Sequence, residues 1–237
     1  MRPGAVKEKI ESSMDHYWGG LKELVELYFA KPRPVEQDIT WLRVTAYKEI
    51  KAIPKILPIL RDQYPKLDRE VDRHLYEGIA YELADEIKHY RLLADMLEWL
   101  TGEKVYADQC SPSSEQTRLE ELRMTLKDDL GLAPHLNVAH ETVFASVMGK
   151  ISGGELEKKV ARAYRQVYSD EVKHYRLGWK ELQAQSLDEA QLERIITANR
   201  TVARQYLVMR NELFGNILTQ ARLEEIDQKK IQPYRPH

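Results

Sequence analysis

The sequence predicts an all-α protein, and two patterns support that prediction. Apolar residues recur at intervals of three and four over long stretches, the spacing that places them on one face of a helix. In the first stretch these residues are Val6, Ile10, Met14, Tyr17, Leu21, Leu24 and Tyr28. No run alternates apolar and polar residues as a half-buried strand does, and glycine and proline separate the periodic stretches. We therefore expect six or seven helices packed as a bundle.

The periodic stretches locate these helices within what we expect to be a single helical domain over residues 1–237. In order, the predicted helices cover 5–30, a stretch from about 38 onward, 66–100, 113–130, 135–150, 155–184 and 187–223. Pro54 and Pro58 fall inside the second helix, so we expect it to be kinked or shortened there. Ser186 and Glu189 have the spacing of a Ser-x-x-Glu capping box, which predicts the start of the last helix.

The composition argues against several classes of function. The 237 residues include 36 basic and 38 acidic ones, and this formal net charge of −2 disfavours a general binder of nucleic acids or membrane surfaces. Cys110 is the only cysteine, so one chain cannot build a disulfide, a zinc ribbon or an iron–sulfur site. The N-terminal segment lacks an apolar signal core, and no stretch approaches the roughly 18 apolar residues of a spanning helix. We therefore expect a cytoplasmic protein.

One eight-residue segment occurs twice in the chain. Asp85–Leu92 has the sequence DEIKHYRL and Asp170–Leu177 has the sequence DEVKHYRL, so seven of eight positions are identical at an offset of 85 residues. An identity this long within one chain indicates an internal repeat. Each copy contains a Glu-x-x-His motif, Glu86–His89 in the first copy and Glu171–His174 in the second.

The spacing of this motif suits a metal site. Residues three apart on an α-helix lie about 60° from one another on successive turns, so the carboxylate and the imidazole share a face and can reach one ion. A single copy on a highly charged helix would indicate only a solvated surface, whereas two nearly identical copies favour a metal site. Carboxylate oxygen with imidazole nitrogen, and no thiolate, suits iron or manganese, and zinc is also compatible.

The paired motifs resemble those of the ferritin-like di-iron carboxylate superfamily, over residues of about 40–180. In that superfamily two helices each provide a Glu-x-x-His motif, and two other helices each provide one further Glu. The resemblance implies a ferritin-like four-helix bundle that holds two metal ions within about 40–184. The helices at 5–30 and 187–223 would be additions at the N- and C-terminal ends.

The resemblance also implies one more carboxylate ligand on the helix before each motif. In the second half this ligand is Glu141, the only acidic residue of its predicted helix. In the first half we expect Glu49, and the alternatives Glu23 and Glu26 would leave a long insertion after them. The predicted metal ligands are therefore Glu49, Glu86, His89, Glu141, Glu171 and His174.

The aspartate that precedes each motif is repeated as well. Asp85 and Asp170 each lie about 100° around the helix from the neighbouring glutamate, so they are poorly placed to bind the same ion. The Asp-Glu-x-x-His form is similar to that of ribonucleotide reductase small subunits and bacterial multicomponent oxygenases, which implies that both aspartates orient metal-bound histidines. Two further residues are candidate catalytic residues. Glu82 would be an additional ligand or a proton carrier, and the alternative is a glutamate at the surface or in a helix pair. Tyr168 would take part in electron transfer, and the alternative is a tyrosine that packs in the core.

The resemblance implies a non-haem di-iron oxidoreductase that activates O2 to oxidise or oxygenate a small organic substrate. Its cofactor would be two iron ions, and the same ligands would serve a manganese–iron pair. One alternative is a ferroxidase or peroxide-scavenging protein similar to ferritins or rubrerythrins, and another is a metal-free helical interaction subunit. The expected partners are a small-molecule substrate, a second copy in a homodimer and an electron-donor protein, with no nucleic acid and no membrane.

Overall fold

The computed structural model describes residues 3–183 and 185–236, and this part of the chain is helical with no β-strand. Its helices are α1 Pro3–Phe29, α2 Val35–Gln63, α3 Arg73–Thr101, α4 Ser114–Thr125, α5 Lys127–Leu130, α6 Ala139–Met148, α7 Glu155–Gln183, α8 Glu189–Leu213 and α9 Gln220–Asp227. Short 3-10 turns cover Tyr64–Lys66, Ala107–Gln109 and Pro134–Val138. The prediction of an all-α fold is confirmed. In the described part of the chain, no helix combines the length and apolar character that crossing a bilayer requires.

The helices divide into two compact units. The hairpin unit, Pro34–Pro112, contains α2 and α3, which pack against each other along their length. The main unit, Met1–Arg33 with Ser113–His237, contains the other helices. In this unit α6 packs against α7, and α1 and α4 pack against α8. The expectation that the whole chain forms one domain stays a prediction.

Helix α2 of the hairpin unit continues through both of its prolines to Gln63. Of the two expected outcomes, shortening at Pro54 and Pro58 is therefore wrong, and a kink there stays a prediction. Beyond Glu49 the only buried residue of α2 is Ile56, and Pro54 is exposed. Water can therefore hydrogen-bond the carbonyl groups that lose their N–H donors, which lowers the cost of an internal proline.

Helix α3 begins later than the apolar pattern indicates, because a polar turn precedes it. The carboxylate of Asp72 caps its first turn and accepts hydrogen bonds from the N–H groups of His74 and Leu75 at 2.9 and 3.1 Å. Gly102 ends α3, with a left-handed φ of 73° and an N–H bond to the Glu98 carbonyl. These caps fix the ends of the helix that carries the first motif.

Helix α8 of the main unit differs from its prediction at its start. The capping box is Asp188–Gln191, two residues after the predicted Ser186–Glu189 pair. Asp188 accepts from the Gln191 N–H at 2.7 Å, and the Gln191 side chain accepts from the Asp188 N–H at 2.9 Å. Aspartate is as good an N-cap residue as serine, and glutamine can replace glutamate in the box.

The end of α8 also differs, because the predicted helix 187–223 is two helices. Gly215 and Asn216 have φ values of 82° and 56°, and this left-handed backbone stops α8 after Leu213. The Asn216 N–H bonds the Asn211 carbonyl at 2.7 Å. The Asn211 side chain then bonds both backbone groups of Leu218 at 2.8 and 2.9 Å, which fixes the turn into α9.

Helix α7 approaches the 3-10 turn Pro134–Val138 so closely that only glycine fits at the contact. A Cβ atom on Gly178 would lie 2.5 Å from the Leu136 nitrogen and 2.6 Å from the His135 carbonyl carbon. Both atoms belong to the backbone, so an added methyl group must displace the turn or the helix. The glycine therefore sets the position of α7, the helix that carries the second motif.

We expect Gly178→Ala to lower the free energy of unfolding by about 1–3 kcal/mol because of this clash. Gly78→Ala is the matched control, since a Cβ on Gly78 within α3 would meet nothing within 4 Å. The control should raise the stability by roughly 0.5–1 kcal/mol through its higher helix propensity. Urea denaturation followed by circular dichroism measures both changes, and a stabilising Gly178→Ala would contradict the close packing.

Candidate metal centre

The hairpin unit brings three of the predicted metal ligands together. Helix α2 supplies Glu49, and α3 supplies Glu86 and His89 one turn apart. One ligand atom from each side chain lies within 4.8 Å of the other two. Glu49 and His89 are buried, with 4% and 0% of their surface exposed. Glu86 is partly buried, and this group of two carboxylates and one imidazole can hold a metal ion.

The carboxylate of Glu49 lies between two nitrogen donors of the same unit. Its Oε2 is 3.7 Å from Nδ1 of His89, and its Oε1 is 3.3 Å from Nζ of Lys48. Burial alone would raise the pKa of Glu49, but the charge of Lys48 and the neighbouring His89 imidazole outweigh it and lower that pKa. These neighbours therefore favour the ionised form of Glu49, the state in which a carboxylate binds a cation.

The alternatives to Glu49 both lie in the main unit and have other partners. Glu23 forms a two-oxygen salt bridge with Arg222, at 2.9 and 2.7 Å. Glu26 is exposed and pairs with Lys22 one turn earlier in α1. These contacts favour Glu49 as the first-half carboxylate.

The second motif forms a buried pair in the main unit. Oε2 of Glu171 lies 3.8 Å from Nδ1 of His174 on the next turn of α7. Their exposed fractions are only 2% and 7%. The hydroxyl group of Thr142 on α6 donates to the backbone carbonyl of Glu171 at 3.2 Å, which ties this turn of α7 to α6. Both copies of the motif therefore place a carboxylate beside a buried imidazole.

The fourth predicted carboxylate, Glu141, is bound by a cation of its own unit. A guanidinium nitrogen of Arg123 on α4 lies 3.1 Å from Oε1 of Glu141 and 3.1 Å from Nε2 of His140. Within the described part of the main unit, Glu141 does not form a group of three with Glu171 and His174 at the spacing of metal ligands. Its role as a ligand stays a prediction.

The two repeated aspartates make the same local contact in both copies. Asp85 accepts a hydrogen bond from Lys88 at 2.6 Å, and Asp170 accepts one from Lys173 at 3.0 Å. Each pair joins residues three apart on its own helix. The repeat thus preserves an ion pair next to the motif, and the predicted orientation of the histidines by these aspartates stays a prediction.

The two candidate catalytic residues lie on the motif-bearing helices. Glu82 is partly buried on α3, one turn before Glu86. Tyr168 is partly buried on α7 and lines a cavity of about 360 Å³ in the main unit, together with Thr142 and Tyr175. The role of Glu82 as a further ligand or proton carrier and the role of Tyr168 in electron transfer stay predictions.

Two cationic side chains contact the proposed carboxylate ligands, and the sequence did not predict either contact. Lys48 is adjacent to Glu49, and neighbouring residues on a helix point about 100° apart, so the sequence suggested no contact. The long lysine side chain nevertheless reaches Glu49. Arg123 belongs to another helix, and no spacing rule connects it to Glu141.

Comparisons with models of protein families, with curated proteins and with solved structures find no match for this chain. The inference of its function therefore depends on the residues and contacts described above.

Proposed function

We propose that this chain is a ferritin-like non-haem di-iron oxidoreductase that activates O2 to oxidise or oxygenate a small organic substrate. The main support is the group Glu49, Glu86 and His89, together with the second Glu-x-x-His pair on α7. The donor set fits the proposed metal, because carboxylate oxygens and imidazole nitrogens without thiolate suit iron. The proposed ligands are the six residues predicted from the sequence: Glu49, Glu86, His89, Glu141, Glu171 and His174.

In this proposal a bound pair of ferrous ions supplies electrons and open coordination positions for O2. The protein keeps the ligands in a binding state and limits their contact with water. Lys48 favours the ionised form of Glu49, and Arg123 holds one oxygen of Glu141. Burial of His89 and Glu171 keeps water from competing at the donor atoms.

The test is to load the purified protein with ferrous iron under anaerobic conditions and then to admit oxygen. We expect two iron ions per chain and oxygen uptake that increases with the correct small organic substrate. Glu49→Gln/Glu171→Gln should load less iron, whereas the control Glu36→Gln/Glu155→Gln changes exposed residues of the same helices and should not. Equal iron in the two double variants would overturn the proposal.

The same experiment separates the alternatives. Oxygen uptake that depends only on ferrous iron indicates a ferroxidase, and a metal-free interaction subunit would bind no iron. Gel filtration then distinguishes the predicted homodimer from a cage of many subunits.

A further inference from the structure

A stripe of basic residues runs along the exposed face of α7. It consists of Lys158, Arg162, Arg165, Lys173, Arg176 and Lys180, all of them exposed. On an ideal helix their directions fall within about 80° of one another, and the set extends over about 33 Å. We call this set the basic stripe. Between Arg165 and Lys173 the stripe has one uncharged position, which is occupied by exposed Ser169.

The charge of the basic stripe is largely uncompensated. Among the residues that the structure describes, only Lys173 of the six has an ion-pair partner, Asp170 at 3.0 Å. Arg165 donates to the Gly149 carbonyl at 3.0 Å, a neutral acceptor. The only acidic residue of α7 pointing into the same sector is Glu155 in the first turn, where it stabilises the helix N-terminus.

The internal repeat does not account for the basic stripe. At the offset of 85 residues, the corresponding positions of α3 are Arg73, Glu77, Ala80, Lys88, Arg91 and Asp95. That face has mixed charges and local pairs, such as Arg91 with Asp95 at 2.9 Å. The ligand motif is therefore common to both copies, whereas the row of basic residues is present in the α7 copy and not in the α3 copy.

We propose that the basic stripe is the docking surface of an acidic electron-carrier protein. A positive surface on a chain with a net charge of −2 attracts a compact acidic partner, whereas the remaining negative charge disfavours a long polyanion such as a nucleic acid. Docking to a long, exposed row of Lys and Arg supplies the charge complementarity that steers a transient partner.

The electron-carrying role of this partner rests on the proposed function. On α7 the directions of Glu171 and His174 lie on the side opposite the basic stripe. A carrier bound to the stripe is thus separated from the ligand side chains by about one helix diameter, roughly 10 Å. Each transfer would oxidise the reduced carrier by one electron and would reduce one ferric ion of the proposed pair to the ferrous state.

The experiment measures carrier binding to the metal-free full-length chain, so it does not depend on activity. Fluorescence anisotropy is recorded with a labelled acidic [2Fe–2S] ferredoxin and a labelled acidic flavodoxin. We expect saturable binding at about 20 mM NaCl that weakens at least tenfold at about 200 mM NaCl. Neutralising two charges in Lys158→Gln/Arg176→Gln should weaken binding about tenfold at low salt.

The matched control is Arg73→Gln/Arg91→Gln, which removes two exposed charges at the corresponding positions of α3. It should change the affinity less than about twofold. The proposal is overturned if neither carrier binds or if the two double variants weaken binding equally. Tighter binding of single-stranded DNA or of phosphatidylserine vesicles to the stripe would also overturn it.

Failure of this proposal and failure of the proposed function give different results. A chain that binds two iron ions but neither carrier contradicts only the docking surface. A chain that binds a carrier through the stripe but takes up no iron contradicts the oxidoreductase and the electron-carrying role of the partner.

Discussion

Replacing His89 or His174 with alanine is expected to lower the iron content of the loaded protein sharply. Each substitution removes an imidazole that lies beside a buried carboxylate, at 3.7 Å from Glu49 for His89 and 3.8 Å from Glu171 for His174. Loss of an outer-shell partner already costs roughly 10- to 100-fold in metal affinity, so loss of a ligand should cost more. Iron per chain, determined by plasma mass spectrometry after desalting, measures the effect.

His74→Ala provides a matched control for these variants. His74 lies in the first turn of α3, the helix that carries His89, but its side chain is exposed. The control should retain the iron content of the unsubstituted protein. Circular dichroism of all three variants separates metal loss from unfolding. If His89→Ala and His174→Ala stay helical and bind as much iron as His74→Ala, these histidines are not ligands.

The parts of the site that could be predicted from the sequence are those that a single helix determines. Glu86 with His89, and Glu171 with His174, share a face because of the helical repeat alone. The structure places each glutamate beside a buried histidine, on α3 and α7, although Glu86 itself is only partly buried. Glu49 required an assumption about which helix pairs with α3. That assumption agrees with the antiparallel hairpin, because a short connection makes consecutive helices neighbours.

The cations that contact the carboxylates follow from tertiary structure instead. The Arg123–Glu141 pair joins α4 to α6, and its formation depends on how these two helices pack. No periodicity of either helix contains that information. Lys48 contacts Glu49 through a long, flexible side chain, and helical spacing does not determine the conformation of that side chain. Sequence spacing therefore predicts which ligands pair within one helix better than it predicts which cations contact those ligands.

Helix boundaries show a similar limit. The apolar stripe of the last predicted helix continues past Gly215 and Asn216, so periodicity alone indicated one helix to about 223. The left-handed conformation of both residues and the Asn211 contacts with Leu218 separate α8 from α9. At Pro54 the helix continues where the sequence allowed it to end, because the cost of an internal proline depends on solvent exposure.

Phe214 joins three helices in the core of the main unit, directly after the end of α8. Its ring is fully buried and stacks on Tyr28 of α1, with 4.1 Å between ring centroids. It also contacts Phe29 of α1 and Phe144 of α6, at centroid distances of 6.2 and 6.1 Å. The guanidinium carbon of Arg210 lies 4.1 Å from the centroid of the Phe144 ring. The aromatic cluster therefore also contacts a buried cation.

We therefore expect Phe214→Ala to lower the free energy of unfolding by about 3–5 kcal/mol, because it removes buried surface and leaves a cavity among rigid rings. A loss of this size is a large part of the roughly 5–15 kcal/mol that stabilises a typical domain. Met124→Ala is the control, since Met124 is 67% exposed on α4 and should change stability by less than about 0.5 kcal/mol. Urea denaturation followed by tryptophan fluorescence measures both, and similar midpoints for the two variants would show that Phe214 does not connect these helices.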